Sequence, residues 1–214
     1  MLWLMLKNIL GEFRVIKKWF DLRFKGYLYD EGWFDSIKRR KSIGRGAAPK
    51  IWMTYPFLDF FEERLGSEMS IFEYGCGNST LYLESRVGRV FSVEHDKIWY
   101  ESIKKKVTAK TELLFRSIEP QIDYVQCIKD VVELFDIVIV DGRYRNNCVE
   151  FSISFLKDEG VLILDDAERA EYQYARDYLK SKGFRKIEFR GIAPGIIYKK
   201  STCVFYRNNN CLGI

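Results

Sequence analysis

The chain has 214 residues, of which 47% are apolar and 16% aromatic, enough for one sizeable core and too much for a disordered protein. The net charge of +5 is uneven, because residues 1–50 carry twelve Lys and Arg against five Asp and Glu, whereas residues 51–214 carry twenty-three against twenty-five. Since the basic excess is confined to the N-terminal quarter, we expect no nucleic-acid partner for the main domain.

The cysteine and histidine content argues against two common kinds of site. The chain has one histidine, and its five cysteines include no CxxC pair. A zinc site of Cys and His and a disulfide framework are both disfavoured on this basis. We therefore expect reduced thiols, as in a cytoplasmic protein.

The opening MLWLML is too short an apolar run to span a membrane. Lys7 follows it directly, whereas a membrane-spanning helix needs about 20 apolar residues. The run also lacks the basic start and the small-residue cleavage site of a secretory signal. These features predict a cytoplasmic location.

Residues 2–22 have the spacing of an amphipathic helix. Apolar side chains recur every three or four residues, and Lys7, Arg14, Lys17 and Lys18 fall mostly on other faces. The pattern predicts a basic helix with three possible roles. The helix packs on its own domain or on a second subunit, it lies peripherally on the inner face of an anionic membrane, or it is the target of a calmodulin-like partner.

Residues 38–50, KRRKSIGRGAAPK, combine like charges with glycine and proline, which is typical of a solvated linker or mobile loop. We accordingly divide the chain into a basic N-terminal helix with its linker, residues 1–50, and a main domain, residues 51–214. A sharper alternative for the linker is a flap over an active site, where its cations would meet an acidic substrate.

A helical segment precedes Gly66, and after Gly66 the sequence alternates between short apolar runs and helical segments. We predict strands over residues 71–74, 90–94, 112–116, 137–140, 161–164, 184–189 and 202–206. We predict helices over residues 54–65, 79–87, 97–107, 121–134, 146–156 and 168–182. Runs such as DIVIVD are apolar on both faces, as in strands covered by helices on both sides. The alternation predicts an α/β fold with a doubly wound, mostly parallel sheet, and the last two strands predict an antiparallel hairpin.

Polar residues follow four of these strands, at the edge where doubly wound sheets bind ligands. They are Gly75-Cys76-Gly77-Asn78-Ser79-Thr80 after the first strand, Glu94-His95-Asp96 at the second, Asp141 after the fourth and Asp165-Asp166 after the fifth. We expect these groups to surround one pocket.

The glycine loop does not match a phosphate-binding motif. Thr80 stands where a dinucleotide fingerprint has its third glycine, and no GK[ST] follows. Glu73 would repel a phosphate but suits a ligand ammonium group. Glu94, twenty-one residues later, can accept hydrogen bonds from both hydroxyls of a ribose. A nucleoside that carries an amino acid would satisfy both acids, and S-adenosylmethionine is such a molecule.

The motifs FEYGCGNST, SVEHD, FDIVIVDGRYRNNC and GVLILDDAER occur in this order. They resemble the class I S-adenosylmethionine-dependent methyltransferases, whose fold is a Rossmann-like sheet of seven strands with a C-terminal antiparallel hairpin. Together with WMTYPFLDF and CVFYRNNNCLGI they are similar to small FkbM-like bacterial methyltransferases that accompany surface-polysaccharide genes. The resemblance covers roughly residues 30–214.

The resemblance implies a role for each residue of the predicted pocket. Glu94 would hold the ribose, His95 and the segment near Ser117 would flank the adenine, and Asp141 would border the cofactor. The methionine end would be wrapped by Glu73, Gly75, Gly77, Asn78, Ser79 and Thr80.

Methyl transfer to a hydroxyl also needs a proton acceptor, and Asp141 and Asp166 are our candidates. Alternatively, Asp141, Asp165 and Asp166 hold a divalent cation such as Mg²⁺, which prefers oxygen ligands. Their spacing resembles that of the metal-dependent catechol-type methyltransferases, although those have Asp-Asn where this chain has Asp-Asp. Arg143 and Arg145 either clamp a sugar phosphate or uronate or pair with nearby acids.

The predicted function is therefore O-methylation of a sugar, glycan or related small metabolite with S-adenosylmethionine as cofactor. A nicotinamide oxidoreductase is disfavoured by Glu73 and Thr80. The alternative from another class is a catalytically idle methyltransferase-like module that binds a nucleoside or acts as a scaffold in a glycan-assembly complex.

Overall fold

A computed structural model describes the backbone of residues 2–214 and the side chains of residues 11–214. Its strands, numbered β1 to β7 in chain order, are Ser70–Tyr74, Arg89–Glu94, Thr111–Phe115, Phe135–Val140, Leu156–Asp165, Arg185–Gly191 and Lys200–Tyr206. They form one sheet in the order β3-β2-β1-β4-β5-β7-β6. Strands β1 to β5 are parallel, and β7 runs antiparallel between β5 and β6. The predicted α/β fold, doubly wound with a terminal hairpin, is confirmed.

The helices α1 to α9 are Leu2–Phe24, Tyr27–Asp30, Trp33–Arg39, Tyr55–Glu62, Asn78–Glu84, Lys97–Lys104, Gln121–Val125, Arg145–Ser152 and Gln173–Ser181. Two of them are much shorter than predicted. The segment 121–134 ends as a helix at Val125 and continues as a 3₁₀ turn, Cys127–Asp130. The segment 168–182 becomes α-helical only at Gln173, after a 3₁₀ turn at Ala170–Tyr172.

The two faces of the sheet explain why its central strands are so apolar. In β1, Phe72 packs with Phe135 of β4 in one buried cluster, their ring centroids 5.4 Å apart. Its neighbour Ile71 lies in the second cluster with Phe57 of α4 and Leu83 of α5. A strand that is covered by helices on both sides has two apolar faces. Its polar functional groups are therefore concentrated at its end.

The segment before residue 50 packs on the same sheet. Trp33 of α3 belongs to the second cluster, and its indole Nε1 donates to the carbonyl of Ile196 at 3.0 Å. Ser36 Oγ donates to the carbonyl of Ile43 at 2.6 Å, and Ser42 is buried. The interpretation of residues 38–50 as a solvated connector is therefore wrong around Ser42, because this turn packs against the domain.

Helix α1 is different, because it lies on the outside of the molecule. Of its described side chains, residues 11–24, all but Asp21 are exposed. Nowhere in the described chain is there a helix with both the length and the hydropathy to cross a bilayer.

Candidate active site

The carboxyl ends of β1, β2 and β4 border a cavity of about 380 Å³. It lies at the point where the strand order reverses, since β1 sits between β2 and β4. Eight residues of the predicted strand-end groups line it, namely Gly75, Cys76, Gly77, Asn78, Ser79, Glu94, His95 and Asp141. The sheet therefore brings together most of the predicted pocket, but Ser117 is not part of its lining.

The two glycines of the loop have different reasons to be glycine. Gly75 has φ +96°, and a Cβ there would lie 3.1 Å from the Cα of Gly142, so both the turn and the close approach of the loop after β4 require it. Gly77 has an extended φ of 176°, which any residue adopts. A Cβ on Gly77 would make only ordinary contact with Trp99, at 3.8 Å. Its missing side chain instead leaves space in the cavity.

Glu73 and Thr80 lie beneath the loop and do not line the cavity. Thr80 Oγ1 donates to Glu73 Oε2 at 2.6 Å and accepts the backbone N–H of Gly77 at 3.0 Å, while Ser92 Oγ donates to the same carboxylate at 2.7 Å. Burial raises the pKa of Glu73, although the hydroxyl donors oppose that shift. These contacts fix the loop, and a direct contact of Glu73 with a ligand ammonium group stays a prediction.

Glu94 is buried but keeps hydrogen-bonding capacity on the cavity side. Its Oε1 accepts the backbone N–H groups of His95 and Asp96, both at 2.8 Å, and lies 2.9 Å from His95 Nδ1. Its Oε2 receives only the N–H of Cys76, at 3.3 Å. One carboxylate oxygen is therefore held by the backbone and the other can accept further hydrogen bonds.

Two tryptophans of the cavity wall are absent from the sequence-based prediction. Trp99 is fixed by Asp96, which accepts its backbone N–H at 2.9 Å as the N-cap of α6, and its indole Nε1 donates to the carbonyl of Cys76 at 2.7 Å. Trp52 also lines the cavity, and its Nε1 donates to the carbonyl of Pro194 at 2.8 Å. The Asp96 cap with an aromatic residue three positions later could have indicated Trp99, but no local signal marks Trp52.

The predicted acid cluster forms at the ends of β4 and β5, together with Arg145 and with Lys200, a cation that the sequence-based prediction did not include. Lys200 Nζ lies 2.5 Å from Asp165 Oδ2 and 2.9 Å from Asp166 Oδ1. Arg145 lies 2.8 Å from Asp141 Oδ1 and 3.4 Å from Asp166 Oδ2. Arg145 is thus a partner of the acids, one of the two roles predicted for it.

The structure separates the two candidate bases. Asp141 lines the cavity, and its pKa is raised to about 7 by burial and by the neighbouring Asp165 carboxylate, against the effect of Arg145. Asp166 does not line the cavity. Burial tends to raise its pKa, but Lys200, Arg145 and Arg169 together hold the pKa below its usual range. Asp166 is therefore a poor base, and Asp141 is the candidate that we retain.

The cluster does not fit a divalent cation, although carboxylate oxygens of Asp141, Asp165 and Asp166 lie within 4.8 Å of one another. The ammonium group of Lys200 already takes the central position between two of them. Arg169 adds a third cation, 2.7 Å from Asp166. Three carboxylates face three cations, which leaves no net negative charge to attract a metal ion.

The fold is similar to that of several solved structures. No protein-family profile and no curated protein sequence matches the chain. Among solved structures, a proposed O-methyltransferase from Klebsiella pneumoniae matches with a TM-score of 0.58 at 12% identity, over 91% of this chain and 96% of that one. A methyltransferase-like protein from Silicibacter pomeroyi gives 0.55 at 19% identity, over 74% and 89%. A proposed methyltransferase from Streptococcus mutans, solved in complex with SAH, gives 0.53 at 12% identity, over 72% and 99%. The chain therefore has the fold of the class I S-adenosylmethionine-dependent methyltransferases.

Proposed function

We propose that the protein is an S-adenosylmethionine-dependent O-methyltransferase. The observation that carries the proposal is the cavity itself, where the glycine loop and the Glu94 carboxylate face one space at the reversal point of the sheet. The fold that the chain shares with methyltransferase structures supports the same cofactor.

The cavity fits the proposed cofactor in two respects. Glu94 Oε2 has capacity to accept hydrogen bonds from a ribose diol, and the backbone N–H groups on Oε1 keep the carboxylate in place. The missing side chain of Gly77 leaves room for a ligand next to Trp99. Glu73 supports this arrangement from below by holding Thr80 and the loop.

When bound, S-adenosylmethionine supplies an activated methyl group. The chain then has to bind the acceptor, orient its hydroxyl and remove one proton. For the last task we propose Asp141, because it lines the cavity and its pKa of about 7 lets it accept a proton near neutral pH. Arg145, 2.8 Å from Asp141 Oδ1, fixes the position of that carboxylate.

For the acceptor we propose a sugar or a related hydroxyl-bearing metabolite. The support is the similarity of the strand-end motifs to those of the FkbM-like methyltransferases. The polar lining also suits a hydrophilic acceptor, since Ser42, Asn78 and Ser79 contribute to it.

The test is calorimetry with S-adenosylmethionine on the wild-type protein and two variants. Glu94→Gln should weaken binding at least about tenfold, because a charge-assisted hydrogen bond to the ribose becomes a neutral one. Glu112→Gln is the matched control, since Glu112 is exposed on the neighbouring strand β3 and should leave the affinity unchanged. Equal affinities in Glu94→Gln and wild type would refute the ribose assignment.

Turnover then separates an enzyme from an idle module. The wild-type protein should convert S-adenosylmethionine to S-adenosylhomocysteine in the presence of a hydroxyl acceptor from a panel of sugars and sugar phosphates. Binding of the cofactor with no transfer to any member of that panel would favour the idle nucleoside-binding module.

A further inference from the structure

The cavity carries more positive charge than its own acids balance. Five Lys and Arg side chains line it, against the carboxylates of Glu94 and Asp141. Two of the five are paired, Lys50 with Glu31 and Arg145 with Asp141. The remaining three are available to a ligand.

These three are Arg40, Lys41 and Arg143, all exposed at the mouth of the cavity. Within the described residues, none of them forms an ion pair. Arg143 Nε donates to His95 Nε2 at 3.4 Å, which leaves its terminal guanidinium nitrogens unengaged. Three unpaired cations around one opening repel one another, so their proximity favours binding of an anion.

The turn that carries two of these cations is fixed in place. Arg40 is the C-cap residue that follows α3, and its left-handed conformation, with φ 51°, is uncommon for a residue other than glycine. The backbone N–H of Lys41 donates to the carbonyl of Ser36 at 3.2 Å. Asn78 Nδ2 donates to the carbonyl of Ser42 at 2.7 Å, which ties the turn to the glycine loop. The backbone that carries Arg40 and Lys41 is thus fixed at the mouth of the cavity.

A second observation at the same turn points to a missing ligand. Ser42 is only 4% exposed and lines the cavity, yet its hydroxyl has no hydrogen-bond partner among the described residues. A buried hydroxyl without a partner is unfavourable. A ligand oxygen would satisfy it.

We propose that Arg40, Lys41, Ser42 and Arg143 form a subsite for a phosphoryl group on the methyl acceptor. The proposal rests on the proposed function and narrows the acceptor to a phosphorylated hydroxyl compound. Arginine binds phosphate oxygens in pairs, lysine adds a point charge and the serine hydroxyl donates to a third oxygen. The competing source of negative charge is the carboxylate of the cofactor, so the test has to distinguish the two.

The probe is inorganic phosphate, titrated by calorimetry into the protein saturated with S-adenosylhomocysteine. Phosphate should bind, and the double variant Arg40→Gln/Arg143→Gln should weaken it at least about tenfold, because two charged donors are lost. The matched control is Lys105→Gln/Lys106→Gln, which removes the same charge from exposed residues outside the cavity and should bind phosphate normally. Acetate should bind more weakly than phosphate.

Three outcomes overturn the subsite. Phosphate affinity is unchanged in the double variant, acetate binds as tightly as phosphate, or the double variant loses S-adenosylhomocysteine instead, which would assign these cations to the cofactor carboxylate. If S-adenosylhomocysteine itself does not bind to the wild type, the proposed function fails, and the phosphate titration of the unloaded protein still reports on the subsite.

A separate observation concerns helix α1, whose large apolar side chains are uncovered. Phe13 is 68% exposed, Trp19 71%, Phe20 67% and Phe24 66%. Phe13, Phe20 and Phe24 share one face of the helix, and Trp19 lies to one side of it. Large apolar side chains at this exposure indicate a surface that contacts a partner.

The charge of α1 selects among possible partners. The sequence of the helix has five Lys and Arg against two Asp and Glu, a net +3. A second copy would bring two such helices together and add repulsion, whereas an anionic lipid surface would neutralise the charge. Tryptophan and lysine side chains also suit the boundary between headgroups and acyl chains.

We propose that α1 binds the surface of an anionic membrane and lies in its plane. The test is co-sedimentation with phosphatidylcholine vesicles with and without phosphatidylglycerol. Binding should require phosphatidylglycerol, and Trp19→Ser/Phe20→Ser should weaken it at least about tenfold through lost apolar burial. The control is Ile98→Ser/Val132→Ser, which removes two apolar side chains that are exposed outside α1. This variant should bind the vesicles like the wild type.

Two results would overturn the membrane assignment. One is equal binding by the Trp19→Ser/Phe20→Ser variant and the wild type. The other is no vesicle binding by the wild type together with a concentration-dependent dimer that the Trp19→Ser/Phe20→Ser variant does not form. That result would show that α1 contacts a second copy of the chain.

Discussion

Strands β2 and β5 both end in a buried carboxylate, but different groups stabilise the two. Glu94, at the end of β2, is held by the backbone N–H groups of His95 and Asp96 and retains accepting capacity on Oε2. Asp165, at the end of β5, accepts from Lys200 Nζ at 2.5 Å and from Thr202 Oγ1 at 2.7 Å, one donor on each oxygen. Glu94 therefore has an oxygen that can accept hydrogen bonds from a ligand, whereas both oxygens of Asp165 already accept from side chains of the protein.

Replacement of Lys200 should have the largest effect on stability. Lys200→Met should lower the free energy of unfolding by about 3–5 kcal/mol, because it leaves Asp165 and Asp166 without their shared cation in a buried site. Urea unfolding measures the loss. The control Lys186→Met removes a lysine from the exposed pair with Glu188 and should cost no more than about 1 kcal/mol. Similar losses in both variants would show that the buried network adds little.

A variant of Asp141 tests the proposed catalytic role of a carboxylate that lines the cavity. Asp141→Asn should lower kcat about a hundredfold or more, because the proton acceptor is lost. The pH profile follows from the raised pKa. Only deprotonated Asp141 accepts a proton, so kcat should fall as the pH drops below about 7 and level off above it. A profile of wild-type kcat that is flat between pH 5 and pH 9 would contradict this role.

The glycine loop can be tested without disturbing the acid cluster. Gly77→Ala should keep the stability within about 1 kcal/mol, because its φ is extended, but should weaken S-adenosylmethionine binding about tenfold by filling the cavity. Gly142→Ala is the contrasting variant, since its Cβ would lie 2.0 Å from the Tyr124 hydroxyl oxygen. That change should destabilise the fold. Unchanged cofactor affinity in Gly77→Ala would remove the loop from the binding site.

Chelation should have the smallest effect. Since Lys200, Arg145 and Arg169 already balance the three aspartates, dialysis against EDTA should leave both activity and thermal stability unchanged. If EDTA abolishes activity and added Mg²⁺ restores it, this prediction is refuted, and the three aspartates would be metal ligands.

The parts of the fold that follow from periodicity were predictable. The central strands are apolar on both faces, and β1 and β4 were placed within two residues of their observed ends. The groups after β1 and β2 were predictable as well, because parallel strands bring their carboxyl ends to one edge. Helix ends were less accurate where 3₁₀ turns intervene, as before Gln173.

The remaining features depend on contacts between residues far apart in sequence. Asp165 and Asp166 resemble metal ligands as long as Lys200, thirty-five residues after Asp165, is not known to sit between them. The sequence indicates Glu73 as a ligand contact, but it does not show that Thr80 and Ser92 both donate to its Oε2 and tie it to the glycine loop. Sequence alone offers the charges of such a site but not their pairing.

The antiparallel insertion of β7 has a consequence for biosynthesis. Lys200 opens the seventh strand, so the ribosome adds it after Asp165 and Asp166, with which it forms ion pairs. Until Lys200 is added, Arg145 and Arg169 are the cations that balance the cluster of three aspartates. A chain that stops before residue 200 lacks β7, the strand that pairs with both β5 and β6, so β6 can join the sheet only after β7 has been synthesised.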